Sequence, residues 1–280
     1  MTATIDAGIV GLTVGPVACT VDARWLMAYA AGLGETDARY YDTVARGGPM
    51  AHPLFAVCYE WPVALALRAK AIDPALASLS VHVSHELLVH RPVRAGDSLR
   101  ISARVTAVRQ RRSGTLVVAR YTTMDRSGVL VSTTDYGSLY RGVELRGPEV
   151  SADAERAEAE TAVRWESAVS LPAYAAHVYT ECARIFNPIH SDVGVARAAG
   201  LPGVILHGTA TLALAVSRVV INDLAGDPGR VRGVSARFTD MVELPSTVMV
   251  RGRGAADGRV AFDVVAPDRA RVMARGAVTS

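Results

Sequence analysis

The chain has 280 residues, of which 50% are hydrophobic, 6% aromatic and 20% charged, with a formal net charge of +3. That length holds one large domain or two of roughly 140 residues, and the apolar share excludes a disordered chain. Basic residues exceed acidic ones by only 30 to 27, too little for the electrostatic footprint of a nucleic-acid partner.

From the N-terminus, Met1–Asp6 lacks the basic and apolar regions of a signal peptide. No uninterrupted apolar run reaches the roughly 18 residues of a membrane span. The cysteines are Cys19, Cys58 and Cys182, odd in number and widely spaced, which argues against a disulfide framework or a structural zinc site. A soluble protein of the reducing cytoplasm is expected, without a membrane partner.

Asp22 opens a helical pattern over Ala23–Leu33 that glycines end. A second, longer one covers Leu54–Ile72, where Pro62 should interrupt and kink it. Strand patterns follow at Val81–Val89, Ser98–Gln110, Thr115–Met124 and Leu130–Tyr140, with Ser113-Gly114 and Arg126-Ser127-Gly128 as hairpin turns. An acidic, Ala-rich stretch near 147–161 reads as a connector. Beyond it the order repeats: helix at Pro172–Arg184, an apolar helix at Thr209–Leu224, and strands at Gly233–Asp240, Thr247–Gly252, Val260–Ala266 and Ala270–Val278. His52 and His207 stand 155 residues apart, each just before the long helix of its half. One helix and one antiparallel meander, twice over, predict an α+β double hotdog with halves at 1–146 and 162–280, in which each sheet wraps a buried helix.

Chemistry concentrates in Tyr179–Gly208. Asn187-Pro188-Ile189-His190 places an amide and an imidazole around a proline-stiffened turn. His207-Gly208 lies at the start of the apolar helix, where free amides and the helix dipole can hold a developing oxyanion. Tyr179, Ala183, Asn187, Pro188, Ile189, His190 and Ala196 resemble the hydratase 2 motif of the MaoC-like family of (R)-specific enoyl-CoA hydratases and dehydratases. Ala51–Ala56 (AHPLFA) and Arg91–Asp97 (RPVRAGD) resemble the degenerate first hotdog of two-hotdog members.

The resemblance implies addition of water to a trans-2-enoyl thioester, or the reverse dehydration. It implies no cofactor beyond the coenzyme A or acyl carrier that belongs to the substrate, and it leaves room for a homodimer. The family's Gly-Asp pair reads Arg184-Ile185 here, so the motif aspartate is lost. His190 and Asn187 are then the candidate catalytic residues. Glu181, four residues before Ile185, is the candidate replacement if the helix continues, and Asp192 the structural support. Gly208, His207, Ile185, Phe186, Phe55 and Tyr59 are the candidate substrate-binding residues, with Ile185 and Phe186 drying the site.

Two readings stay open: a hydratase with a substitute acid, and a hotdog that only binds thioesters or acts otherwise on an activated carbonyl. His82, His85 and His90 do not suggest a metal, because His82 and His85 fall on opposite faces of a regular strand. Arg251 and Arg253 are candidates for coenzyme phosphates.

Overall fold

The computed structural model describes residues 3–151, 161–268 and 270–280. In chain order the first half carries β1 (Thr4–Asp6), β2 (Thr13–Thr20), α1 (Ala23–Gly32), α2 (Ala56–Ala71), β3 (Ser80–Val89), β4 (Ser98–Arg111), β5 (Gly114–Asp125), β6 (Leu130–Arg141) and β7 (Glu144–Arg146). The second carries β8 (Trp165–Leu171), α3 (Ala175–Ala183), α4 (Val193–Ala198), α5 (Gly208–Asp223), β9 (Gly233–Phe238), β10 (Ser246–Ala256), β11 (Arg259–Val265) and β12 (Arg271–Thr279). Most of the acidic stretch expected as a connector lies outside the described residues.

Ten strands form one continuous sheet in the order β2-β4-β5-β6-β3-β9-β12-β11-β10-β8. Five come from each half, and the halves meet edge to edge through the antiparallel pair β3–β9, with His85 opposite Ala236 and Leu87 opposite Val234. Helix α5 is buried along most of its length, from Thr209 through Val220, as a helix apolar nearly all round must be. Helix α2 runs unbroken through Pro62, in place of the expected interruption. Burial of Cys58, Tyr59, Val63 and Leu67 on its inner face outweighs the hydrogen bond a proline removes. One hydrophobic cluster runs through both halves, so this is an α+β double hotdog with a shared core.

Each half contributes one strand more to the ten-stranded sheet than its pattern suggested, and the first half adds the short parallel pair β1–β7. Strand β2 contains Pro16, which reads as a strand breaker, yet it lies at the sheet's outer edge, where a missing N–H is tolerated. Strand β8 occupies the opposite edge.

Helices α1 and α3 pack against each other across the two halves. Asp22 caps α1 by accepting from the Trp25 amide at 2.7 Å. The approach is close: a Cβ on Gly32 would fall 2.8 Å from the Cβ of Cys182. Tyr29 of α1 meets Tyr179 of α3 hydroxyl to hydroxyl at 3.3 Å.

Candidate active site

Helix α3 stops at Ala183 because Arg184 turns left-handed, with φ 59°. The Ile185 amide then donates back to the Thr180 carbonyl at 3.1 Å, closing the helix end. A non-glycine residue in this conformation costs about 1–2 kcal/mol, and here its guanidinium lies 4.2 Å over the Trp25 ring.

That turn corrects the role expected for Glu181. Since the helix ends before residue 185, Glu181 and Ile185 do not share a helical face. Glu181 is exposed and outside the cavity, while Ile185 is 5% exposed and lines it. Phe186 is 58% exposed and absent from the cavity wall, so it does not dry the site.

The cavity holds about 200 Å³ between the halves. At one end are Asn187, His190, His207, Gly208 and Thr209. The His190 ring donates from Nδ1 to the Ile205 carbonyl at 2.8 Å, since a carbonyl only accepts. Its Nε2 is then the atom with a free lone pair. Burial pushes His190 down to about 4, which keeps it unprotonated near neutrality.

The His207 ring stacks on His190 with centroids 3.6 Å apart, and burial holds it well below the usual imidazole range. No side chain caps the start of α5, and its first residues, Gly208 and Thr209, line the cavity. A Cβ there would meet the Phe238 ring at 3.2 Å, so any side chain would crowd this end. Asp192 lies outside the cavity and caps α4, accepting from the Gly194 and Val195 amides.

Phe55 and Tyr59 do not reach this cavity. Phe55 is in the core against Trp25, Tyr29 and Tyr59, and the Tyr59 hydroxyl pairs with Ser132 Oγ at 2.9 Å. The face of α2 that does line it carries Val57, Glu60, Trp61, Ala64 and Arg68.

His82, His85, Tyr121 and Tyr136 also line the cavity. The expectation that His82 and His85 diverge fails because a bulge lies between His82 and Ser84. Both rings consequently face the same space, with centroids 5.5 Å apart. Among the described residues no group of His, Cys, Asp or Glu is arranged to hold a metal. Glu60 and His85 were missed by reasoning on sequence. A lone acid within the apolar stretch Ala56–Leu67 was the available signal for Glu60.

Arg251 and Arg253 both pair with buried Asp263 and are outside the cavity. The first half also repeats the stacked pair. Tyr40 lies over His52 with centroids 6.0 Å apart. His52, however, is fully engaged. Its Nδ1 accepts from the Leu54 amide at 3.1 Å, its Nε2 donates to Ser217 Oγ at 3.1 Å, and that hydroxyl donates to Glu35.

Residues 158–265 match the family described as MaoC like domain, and residues 8–134 match the FAS1-like dehydratase domain region. The second half is thus similar to a MaoC-like domain and the first half to a dehydratase domain region. The chain is 26% identical to the enoyl-CoA hydratase ChsH3 of Mycobacterium tuberculosis over 92% of both chains. It is 38% identical to a fatty acid synthase beta subunit of Emericella nidulans over 31% of its own length. The chain spans about 5% of that subunit. Its fold matches a MaoC-like dehydratase of Phytophthora capsici with a TM-score of 0.84, at 20% identity, over 97% of this chain and 95% of that one. A Mycobacterium tuberculosis protein described as a double hotdog matches with a TM-score of 0.61, at 17% identity, over 96% and 95% of the two chains.

Proposed function

We propose that the protein hydrates a trans-2-enoyl thioester, or runs the reverse dehydration of an (R)-3-hydroxyacyl thioester, on coenzyme A or an acyl carrier. The observation that carries this is His190, fixed through Nδ1 with a bare Nε2, in one cavity with the uncapped amide end of α5. In the hydration direction Nε2 takes a proton from water while the water oxygen bonds to C3. The π pair moves toward the thioester oxygen, where the Gly208 amide meets the developing charge. The imidazolium, made strongly acidic by burial, then returns its proton to C2.

Asn187 is placed to orient the water, and the similarity to ChsH3 over nearly the whole chain supports the substrate class. A reducing, cytoplasmic setting is supported by the three free cysteines. Ile185 favours a second reading, thioester binding without hydration, because it puts an alkyl group where the family motif has an acid.

Crotonyl-CoA hydration, followed by loss of enoyl absorbance, separates the two. Wild-type turnover that His190→Ala abolishes is the expected result. A silent wild type that gains turnover in Ile185→Asp would overturn the proposal in favour of the second reading.

A further inference from the structure

Part of the cavity wall contributed by α2 and β3 is unlike a channel for a plain hydrocarbon chain. His85 is 1% exposed and lines it, yet neither ring nitrogen has a hydrogen-bond partner. Burial pushes His85 down to about 4, so the ring is neutral and offers one donor and one acceptor, both unmet. Leaving such groups unpaired in a dry site costs free energy for each of them.

Glu60, 4% exposed, accepts from the Thr134 hydroxyl at 2.7 Å and lines the same space. Burial pushes its carboxyl up to about 8, so near neutrality it is mostly protonated and carries an O–H. The sheet register brings the two residues together. His85 pairs with Tyr136, and Thr134, which holds Glu60, lies two residues away on the same face of β6. That diagonal separates His85 from Thr134 by roughly 7–8 Å along the sheet, so His85 and the Glu60 carboxyl held by Thr134 border the same part of the cavity.

We propose that this branch recognises an uncharged oxygen, a hydroxyl or carbonyl, on the acyl chain of the substrate, with His85 and Glu60 as its hydrogen-bonding partners. The inference rests on the thioester reading and names the class of acyl group. A neutral imidazole and a carboxylic acid each present a donor and an acceptor, and a hydroxyl or a carbonyl can satisfy both. A carboxylate on the chain would approach Glu60 with like charge once Glu60 ionises.

Glu60 and His85 line the same cavity as His190, so the oxygen they meet belongs to the acyl chain beyond the reacting carbons. His82 seals the side of this path. It stacks on Tyr136 at 3.7 Å, meets Phe238 at 4.4 Å, and spends its Nε2–H on the Ser84 carbonyl.

The test uses octanoyl-CoA and its analogues bearing one hydroxyl or oxo group at C5, C6 or C7, which cannot be hydrated, with binding measured by titration calorimetry on the full chain. At least one oxygenated analogue should bind at least ten-fold more tightly than octanoyl-CoA. The preference should fall to within two-fold in His85→Phe and in Glu60→Leu, and persist in Glu60→Gln, whose amide keeps a donor and an acceptor. The wild-type comparison decides the matter even if the apolar variants fold poorly. Octanoyl-CoA binding as tightly as every oxygenated analogue overturns the inference and leaves the thioester reading standing. Binding of none of these thioesters overturns both.

Discussion

Burial of the Glu60 carboxyl makes stability depend on pH well above the usual carboxylate range. The carboxyl titrates near 4.5 when exposed and is pushed up to about 8 by burial. Below pH 4.5 both states hold the proton. Between 4.5 and 8 the unfolded chain has released it and the folded chain has not, so this contribution to stability falls as pH rises and levels off above 8. One pH unit in that range is worth about 1.4 kcal/mol. Burial pushes His52, His82, His85, His190 and His207 down, and the unfolded chain still protonates them in part just above 6.5, so their contribution rises with pH and offsets the Glu60 loss. Glu60→Gln keeps an oxygen for the Thr134 hydroxyl, has no proton to lose and carries the same histidines. The difference between wild type and Glu60→Gln therefore isolates Glu60, and from pH 6.5 to 8 it should shift against the wild type by about 2 kcal/mol. Urea unfolding of both proteins at pH 6.5, 7, 7.5 and 8 measures this directly. A difference that stays level across that interval would refute the buried-acid argument.

Other substitutions probe separate parts of the molecule. His190→Gln removes the base and should lower kcat/KM with crotonyl-CoA by about 10²–10⁴-fold; a loss of less than ten-fold would remove His190 from the chemistry. Because burial holds the His190 ring down to about 4, wild-type kcat/KM should not fall around pH 6.5, and a steep loss centred there would contradict its assigned state. Ser217→Ala leaves the Nε2 of His52 without its acceptor and Glu35 without its donor, and should cost about 1–3 kcal/mol in urea unfolding. Gly32→Val puts branched carbon against Cys182, where even a Cβ comes within 2.8 Å. It should destabilise by about 1–3 kcal/mol, and an unchanged unfolding midpoint would show that α1 and α3 part easily.

Periodicity alone located α2, α5 and the inner strands, because their apolar residues recur at helical or alternating spacing and glycine turns separate them. Pro16 concealed β2, since a proline is acceptable only at an edge and edges are set by tertiary placement. The motif around Asn187 and His190 located one end of the cavity. The rest of the site depended on two local irregularities that spacing does not encode. The left-handed Arg184 separates Glu181 from Ile185, and the bulge after His82 turns two histidines to one side. Glu60 was legible in principle, as an acid in a helix too apolar to face water, but the hydroxyl it accepts from, Thr134, lies 74 residues away in sequence.

The paired histidine and tyrosine of the first half have a consequence for stoichiometry. An assembly of two identical half-length chains would carry every substitution twice, so a change that ties up one imidazole would tie up its twin. Joining the halves into one polypeptide removes that constraint. Here His52 is spent on a bonded chain running to Glu35, while His190 keeps a nitrogen open. On the proposed function, saturation should therefore be reached at one thioester per chain of 280 residues.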